Sequence, residues 1–138
     1  MKIAVLDWYT VNIGGDIPSS RFEEFGEVRV IPMTTPEETA ANIADADIVL
    51  CNKVMITKEV IDACPNMRYI GLFATGFNNI DIEYAAKKGI TVCNAGEYST
   101  TAVAQQVFAY ILDHCNRIRD YGAAVKDGAW ERSPSFSY

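Results

Sequence analysis

The residues able to do chemistry in this chain sit mostly where apolar runs stop. In "GLFATGFNN" (71–79) an apolar run gives way to Thr75 and Gly76, with two asparagines just beyond. Backbone donors and acceptors come free where a strand ends. A glycine there has no Cβ, so the chain can take positive φ and turn its N–H toward an approaching anion. Lys53, in "CNKVM" at the end of an earlier apolar run, adds a point charge. Main-chain donors with one cation suit a small carboxylate. On spacing alone the structural alternative stays open, in which Gly76 makes a tight βα turn and Lys53 is a solvated loop residue.

Other groups offer less. The glycine-rich "NIGGD" (12–16) matches neither G-x-x-x-x-G-K-[ST] nor G-x-G-x-x-G and reads as a loop rather than a phosphate cradle. His114, the only histidine, falls mid-helix between Tyr110 and Ile118, and no partner for a nucleophile accompanies it. Asp45 and Asp47 look like paired carboxylates but precede a strand, at the wrong edge of a sheet for a site. Glu23, Glu24, Glu37 and Glu38 suit exposed helix faces and first turns. Cys51, Cys64, Cys93 and Cys115 contain no C-x-x-C pair, so no zinc site is expected. Several lie in or beside apolar runs, where a reduced thiol behaves as a small buried hydrophobe. No catalytic acid, base or metal ligand emerges.

The totals set the frame. With 138 residues, one domain can bury roughly 68–70% of its unfolded surface. Apolar residues at 49% and charged ones at 22% match ordinary globular usage. A formal charge of −6, with no local Lys/Arg run, argues against nucleic acid and anionic lipid as partners. No apolar run approaches the ~18 residues of a membrane span, which predicts a soluble, cytoplasmic protein.

Five strand-length runs must position the site: "KIAVLD" (2–7), "VRVIP" (28–32), "DIVLCN" (47–52), "RYIGLFAT" (68–75) and "ITVCNA" (90–95). Several are nearly continuous rather than alternating, as strands covered on both faces are. Helix-like segments start near Ser19, Pro36, Thr57 and Ile82. Thr35, Pro36 and Glu38 form a capped start, Thr57 caps the next helix, and Gly89 closes the one after. This predicts an α/β fold with a doubly wound, flavodoxin-like, five-stranded parallel sheet in the order 2-1-3-4-5. A long last helix, apolar at Val103, Val107, Ile111, Cys115 and Ile118, is expected to bury one broad face. The domain is read as residues 1–124. Residues 125–138 form an extended aromatic tail whose Trp130, Phe136 and Tyr138 call for packing against something beyond this chain.

Four blocks resemble the D-isomer-specific 2-hydroxyacid dehydrogenases, particularly their glycerate dehydrogenase or hydroxypyruvate reductase branch. They are "NKVMITKEVI" from 52, "MRYIGLFATGFNNIDIEYAAKKGITVCNAGEYSTTAVAQQVFAYIL" from 67, "VKDGAW" from 125 and the closing "SPSFSY". The resemblance implies a two-domain enzyme transferring hydride between NAD or NADP and a 2-oxo or 2-hydroxy acid, with this chain as the substrate-binding domain. It implies that Ala74, Thr75 and Gly76 hold the substrate carboxylate with Lys53 nearby, and that Thr75 and Val103 meet the cofactor. Gln105 stands where many members carry Glu. The Arg, the Glu-His couple and the dinucleotide fingerprint of the family belong to a second domain, expected just after Tyr138. The chain alone is therefore expected to bind no cofactor tightly and to be catalytically silent, and homodimer contacts are expected from the last helix and tail. A non-enzymatic regulator on the same scaffold is the alternative. A signalling receiver lacks its acidic pair here, because Asp7 is single, and an FMN binder lacks its Thr/Ser-rich phosphate loop.

Overall fold

A computed structural model describes residues 1–135. Five short strands lie parallel in one sheet: β1 (Lys2–Val5), β2 (Glu27–Val30), β3 (Ile48–Cys51), β4 (Tyr69–Leu72) and β5 (Thr91–Cys93). Their order is β2-β1-β3-β4-β5, as the apolar pattern predicts. The register pairs Val5 with Leu50, Leu50 with Gly71, and Gly71 with Cys93, so the carboxyl ends of the inner strands finish level. Side chains of β1 and β4 are buried on both faces, as at Ile3, Ala4 and Val5. Burial alternates along β3 and along the outermost strands β2 and β5.

Three helices connect these strands, and each starts where its sequence says. In α1 (Pro36–Ile43) the Thr35 amide and hydroxyl donate to the Glu38 carboxylate at 3.3 and 3.1 Å, and proline opens the first turn. In α2 (Lys58–Asp62) the Thr57 hydroxyl accepts from the Val60 amide, and in α3 (Ile82–Lys87) the Asp81 carboxylate accepts from the Tyr84 amide. The first crossover is instead a 3-10 segment, Ser19–Phe25. Leu6, Ile43, Val49, Ile56 and Ile70 are fully or almost fully buried and form the centre of the core.

The chain divides into two compact units, the first Met1–Glu97 and the second from Tyr98 onward. The second corrects three expectations. The long helix is broken: Arg117 turns left-handed (φ 49°) between α4 (Thr100–Asn116) and α5 (Ile118–Lys126), where its guanidinium pairs with Asp120. No broad face is buried, because Val103, Val107, Ile111 and Ile118 are each half exposed or more. The tail is not extended throughout, since Ala129–Arg132 forms a short helix, α6, entered from a left-handed Gly128. Phe136 and Tyr138 lie outside the described residues.

All four cysteines are free thiols. Cys51 and Cys64 are buried, but Cys93 and Cys115 are exposed, so burial as small hydrophobes holds for only two of them. The reason is position: β5 is an outermost strand and α4 has no buried side. Asp45 is a surface ion-pair residue, bound by Lys2 at 2.8 Å and Arg29 at 2.9 Å. No helix among the described residues is long and apolar enough to cross a membrane.

One surface cluster carries a pH signature. The Asp62 carboxylate is met by the Lys88 ammonium at 2.7 Å, the Tyr84 hydroxyl at 2.7 Å and the Lys58 ammonium at 3.0 Å. These hold its carboxyl well below the usual carboxylate range, Lys88 most of all. A depressed folded-state pKa contributes stability above the unfolded value and loses it as pH falls. The drop in Tm between about pH 6 and about pH 3 is therefore expected to be smaller in Asp62→Asn than in the parent; equal drops would remove Asp62 as a source of acid sensitivity.

Candidate functional site

The sheet's carboxyl edge is built from the exits of β1, β3, β4 and β5, and it treats its bared backbone groups in two ways. After β4, Ala74 is buried while Thr75 and Gly76 are exposed. The Thr75 hydroxyl donates to the Gly96 carbonyl at 2.7 Å. The Asn94 side-chain amide donates to the Thr75 carbonyl at 2.7 Å, and the Ala95 amide to the Ala74 carbonyl at 3.1 Å. These bonds tie the turn to the exit of β5 through its carbonyls. The amides of Ala74, Thr75 and Gly76 donate to no group among the described residues.

Gly76 corrects one expectation and sharpens another. It does not take positive φ; the left-handed glycine of this corner is Gly96, at φ 67°. A Cβ built on Gly76 would meet only Asn78 Oδ1, at 3.6 Å, an ordinary contact. The fold itself therefore has no need of glycine there. What the missing side chain leaves is room beside the amides of the turn.

After β3 the first two amides are already taken. Asp7, 3% exposed and left-handed at φ 46°, accepts from the Asn52 amide through Oδ1 at 2.9 Å and from the Lys53 amide through Oδ2 at 2.6 Å. The Thr10 hydroxyl donates to the Asp7 carbonyl at 2.8 Å and accepts from the Asn52 side chain at 2.8 Å. Lys53 itself is exposed, and its ammonium pairs with no carboxylate among the described residues. Buried Asn79 joins the two loops by donating to the Val54 carbonyl at 2.8 Å and accepting from the Ile56 amide at 2.9 Å. Trp8 and Phe73 meet edge-on with centroids 5.6 Å apart, and Phe22 lies 5.9 Å from Trp8, bracing the β1 and β4 exits. Burial, with Asp7 adding to it, pushes the Cys51 thiol up to about 12, so this strand-end cysteine is no nucleophile at neutral pH.

Beside Lys53 lies a cavity of about 170 Å³ lined by Asp7, Thr10, Thr34, Val54 and Met55 among others. The Thr34 hydroxyl oxygen is buried there without a hydrogen-bond partner among the described residues. Val103 stands in the first turn of α4, in the second unit, 60% exposed, with its amide bonded to the Ser99 carbonyl. Gln105 is exposed on the same helix, and His114 is exposed further along it. Among the described residues no cluster of three or more His, Cys, Asp or Glu could hold a metal ion.

The structure thus brings Ala74, Thr75 and Gly76 together as one turn, with Lys53 on the neighbouring loop. Asp7 and Asn94 fall at the ends of the apolar runs 2–7 and 90–95, but their roles depend on pairings far apart in the chain. Gly96 and Thr34 were not among the expected site residues. For Gly96 the signal was "NAG", a glycine just past an apolar run. Thr34 has no sequence signal.

An open parallel sheet in this order, with helices in its crossovers, is a doubly wound α/β domain, a class in which ligands bind outside the carboxyl ends of the strands. The chain belongs to the D-isomer-specific 2-hydroxyacid dehydrogenase family: residues 7–124 match its catalytic domain. It is 39% identical over its whole length to a hydroxypyruvate reductase of Blautia hydrogenotrophica, covering 44% of that protein. With a glycerate dehydrogenase of Methylorubrum extorquens it shares 31% identity over 75% of this chain and 33% of that one. The fold is that of a D-lactate dehydrogenase from Aquifex aeolicus solved with NAD and lactic acid, with a TM-score of 0.72 at 21% identity over 91% of this chain and 37% of that one. The chain spans less than half the length of these relatives.

Two outcomes are expected from this geometry. Thr34→Val keeps the shape and removes an unpartnered hydroxyl whose burial costs about 1–3 kcal/mol, so denaturant unfolding should show a gain of about 1 kcal/mol. A loss of that size would mean the hydroxyl is satisfied in solution. Asn94→Ala cuts the tie to the Thr75 carbonyl and should speed hydrogen exchange at Ala95, whose amide bonds the neighbouring Ala74 carbonyl, by roughly tenfold while β1 exchanges as before.

Proposed function

We propose that this chain is the substrate-binding half of an NAD- or NADP-dependent D-2-hydroxyacid dehydrogenase acting on a small 2-oxo or 2-hydroxy acid such as hydroxypyruvate or glyoxylate. The observation that carries the reading is the turn after β4, whose carbonyls are tied down while its three successive amides remain unspent. A carboxylate accepting such amides replaces the water it gives up with charge-assisted hydrogen bonds. Gly76 leaves room for it, and Lys53 supplies the positive charge that an acidic chain otherwise withholds from an anion. The names of the relatives support the same substrate class.

The division of labour follows from what these residues can do. Ala74, Thr75 and Gly76 bind and orient the acid group. Thr75 spends its hydroxyl proton on Gly96, which leaves its oxygen lone pairs free to accept from a neighbour, and with Val103 it is the residue proposed to meet the nicotinamide end of the cofactor. The cofactor, when bound, supplies or takes up the hydride, and the residues that hold its phosphates lie outside this chain. Reduction of a ketone also needs a proton donor beside the oxygen. His114 is exposed on α4, without the carboxylate partner of an acid/base couple among the described residues, and Cys51 is held protonated by burial. The chain therefore binds substrate without turning it over, and the exposed apolar side of α4 is proposed to serve a homodimer.

Two measurements test this. The purified chain with NADH and hydroxypyruvate should show no absorbance loss above a blank, and sustained oxidation would contradict its silence. Gly76→Val should weaken binding of hydroxypyruvate by roughly tenfold or more with the Tm nearly unchanged, since the added side chain occupies the space beside the amides and little else. Unchanged affinity in a folded variant would move the acid away from this turn.

A further inference from the structure

Building on the carboxylate site above, we propose that Asp7 is a positioning residue that fills the anion site at the tip of β3 from within the protein. The acid ligand is thereby left to the turn after β4, with Lys53 held beside it. Two successive amides, Asn52 and Lys53, grip the two oxygens of one carboxylate at 2.9 and 2.6 Å. That is the arrangement by which backbone concavities hold small anions. Here the occupant is the chain's own side chain.

The backbone is bent to put it there. Asp7 is one of two non-glycine residues with positive φ among those described, at φ 46° and ψ 35°. Left-handed backbone is costly for most side chains and tolerable for Asp. Such an outlier, 3% exposed and directly at the edge where the ligand is proposed to bind, points to a local purpose. Further bonds fix it, because the Thr10 amide and hydroxyl both donate to the Asp7 carbonyl, at 2.9 and 2.8 Å, and the Asn52 side chain closes the ring onto Thr10.

Two consequences follow. Without Asp7, the sheet edge would offer two adjacent sets of open amides, and a small acid could bind in either register. With it, the two amides directly after β3 are closed and the set after β4 is open. The Lys53 backbone is also pinned at its own N–H, so its unpaired ammonium is carried on a loop that cannot drift away from the neighbouring turn.

The test uses the whole chain, with backbone amide NMR. In the parent, oxamate should shift the Thr75 and Gly76 amides, and formate should leave the Asn52 and Lys53 amides unmoved. In Asp7→Gly, which suits the left-handed backbone, formate should shift the Asn52 and Lys53 amides saturably, and the oxamate Kd at Thr75 and Gly76 should rise roughly tenfold unless formate is added back. Amides at Asn52 and Lys53 that ignore formate in this variant would overturn the inference, as would an unchanged oxamate Kd, which leaves Asp7 a plain loop brace. If oxamate fails to move Thr75 and Gly76 in the parent while formate still fills the gap in the variant, the carboxylate site falls and the occupancy of the β3 tip by Asp7 stands. Should Asp7→Gly not fold, Asp7→Asn keeps the shape and turns one acceptor into a donor. One of the two amides should then lose hydrogen-exchange protection by roughly tenfold, and equal protection in both proteins would overturn the inference.

Discussion

A parallel sheet spends its backbone hydrogen bonds along its length and leaves them unspent at its carboxyl edge. Those last amides are satisfied differently at neighbouring strand ends of this sheet. The Asn52 and Lys53 amides after β3 are closed by a side chain, while those of Ala74, Thr75 and Gly76 after β4 donate to no group among the described residues. Each unmade bond would cost about 1–3 kcal/mol if buried away from water. Where water reaches the amides, as at exposed Thr75 and Gly76, they can be kept open at little cost.

The surrounding structure serves to hold that difference steady. Asn94 and Ala95 take the carbonyls of the β4 turn, Asn79 joins the two loops, and Trp8 stacks edge-on against Phe73 beneath them. Individually such bonds contribute about 0.5–1.5 kcal/mol. Their value lies in direction, because amides aimed at a fixed point lose little on binding. The core of Leu6, Val49 and Ile70 supplies the rigid platform.

Much of the fold was legible because it rests on local signals. Continuous apolar runs marked strands covered on both faces, and Thr35–Pro36–Glu38, Thr57 and Gly89 marked helix ends, each of which the structure repeats. The place of the proposed site follows from position, as Thr75 and Gly76 follow a strand. Its details were not. That Gly76 keeps negative or extended φ while Gly96 turns left-handed depends on how two exits meet, and Asp7 reaching Asn52 and Lys53 spans 45 and 46 residues. The break at Arg117 escaped the reading because the apolar period runs through it without a glycine or proline. The exposure of α4 escaped for a related reason: periodicity reports that a face is apolar, not that something within this chain covers it.

The central claim is that main-chain donors after β4 receive a carboxylate. A crystal of this chain soaked with oxamate tests it most directly. The account predicts carboxylate oxygens at hydrogen-bonding distance, about 2.7–3.2 Å, from the amide nitrogens of Thr75 and Gly76, with the Asp7 carboxylate still on Asn52 and Lys53. Oxamate bound elsewhere on the sheet edge, or displacing Asp7 from its amides, would contradict it.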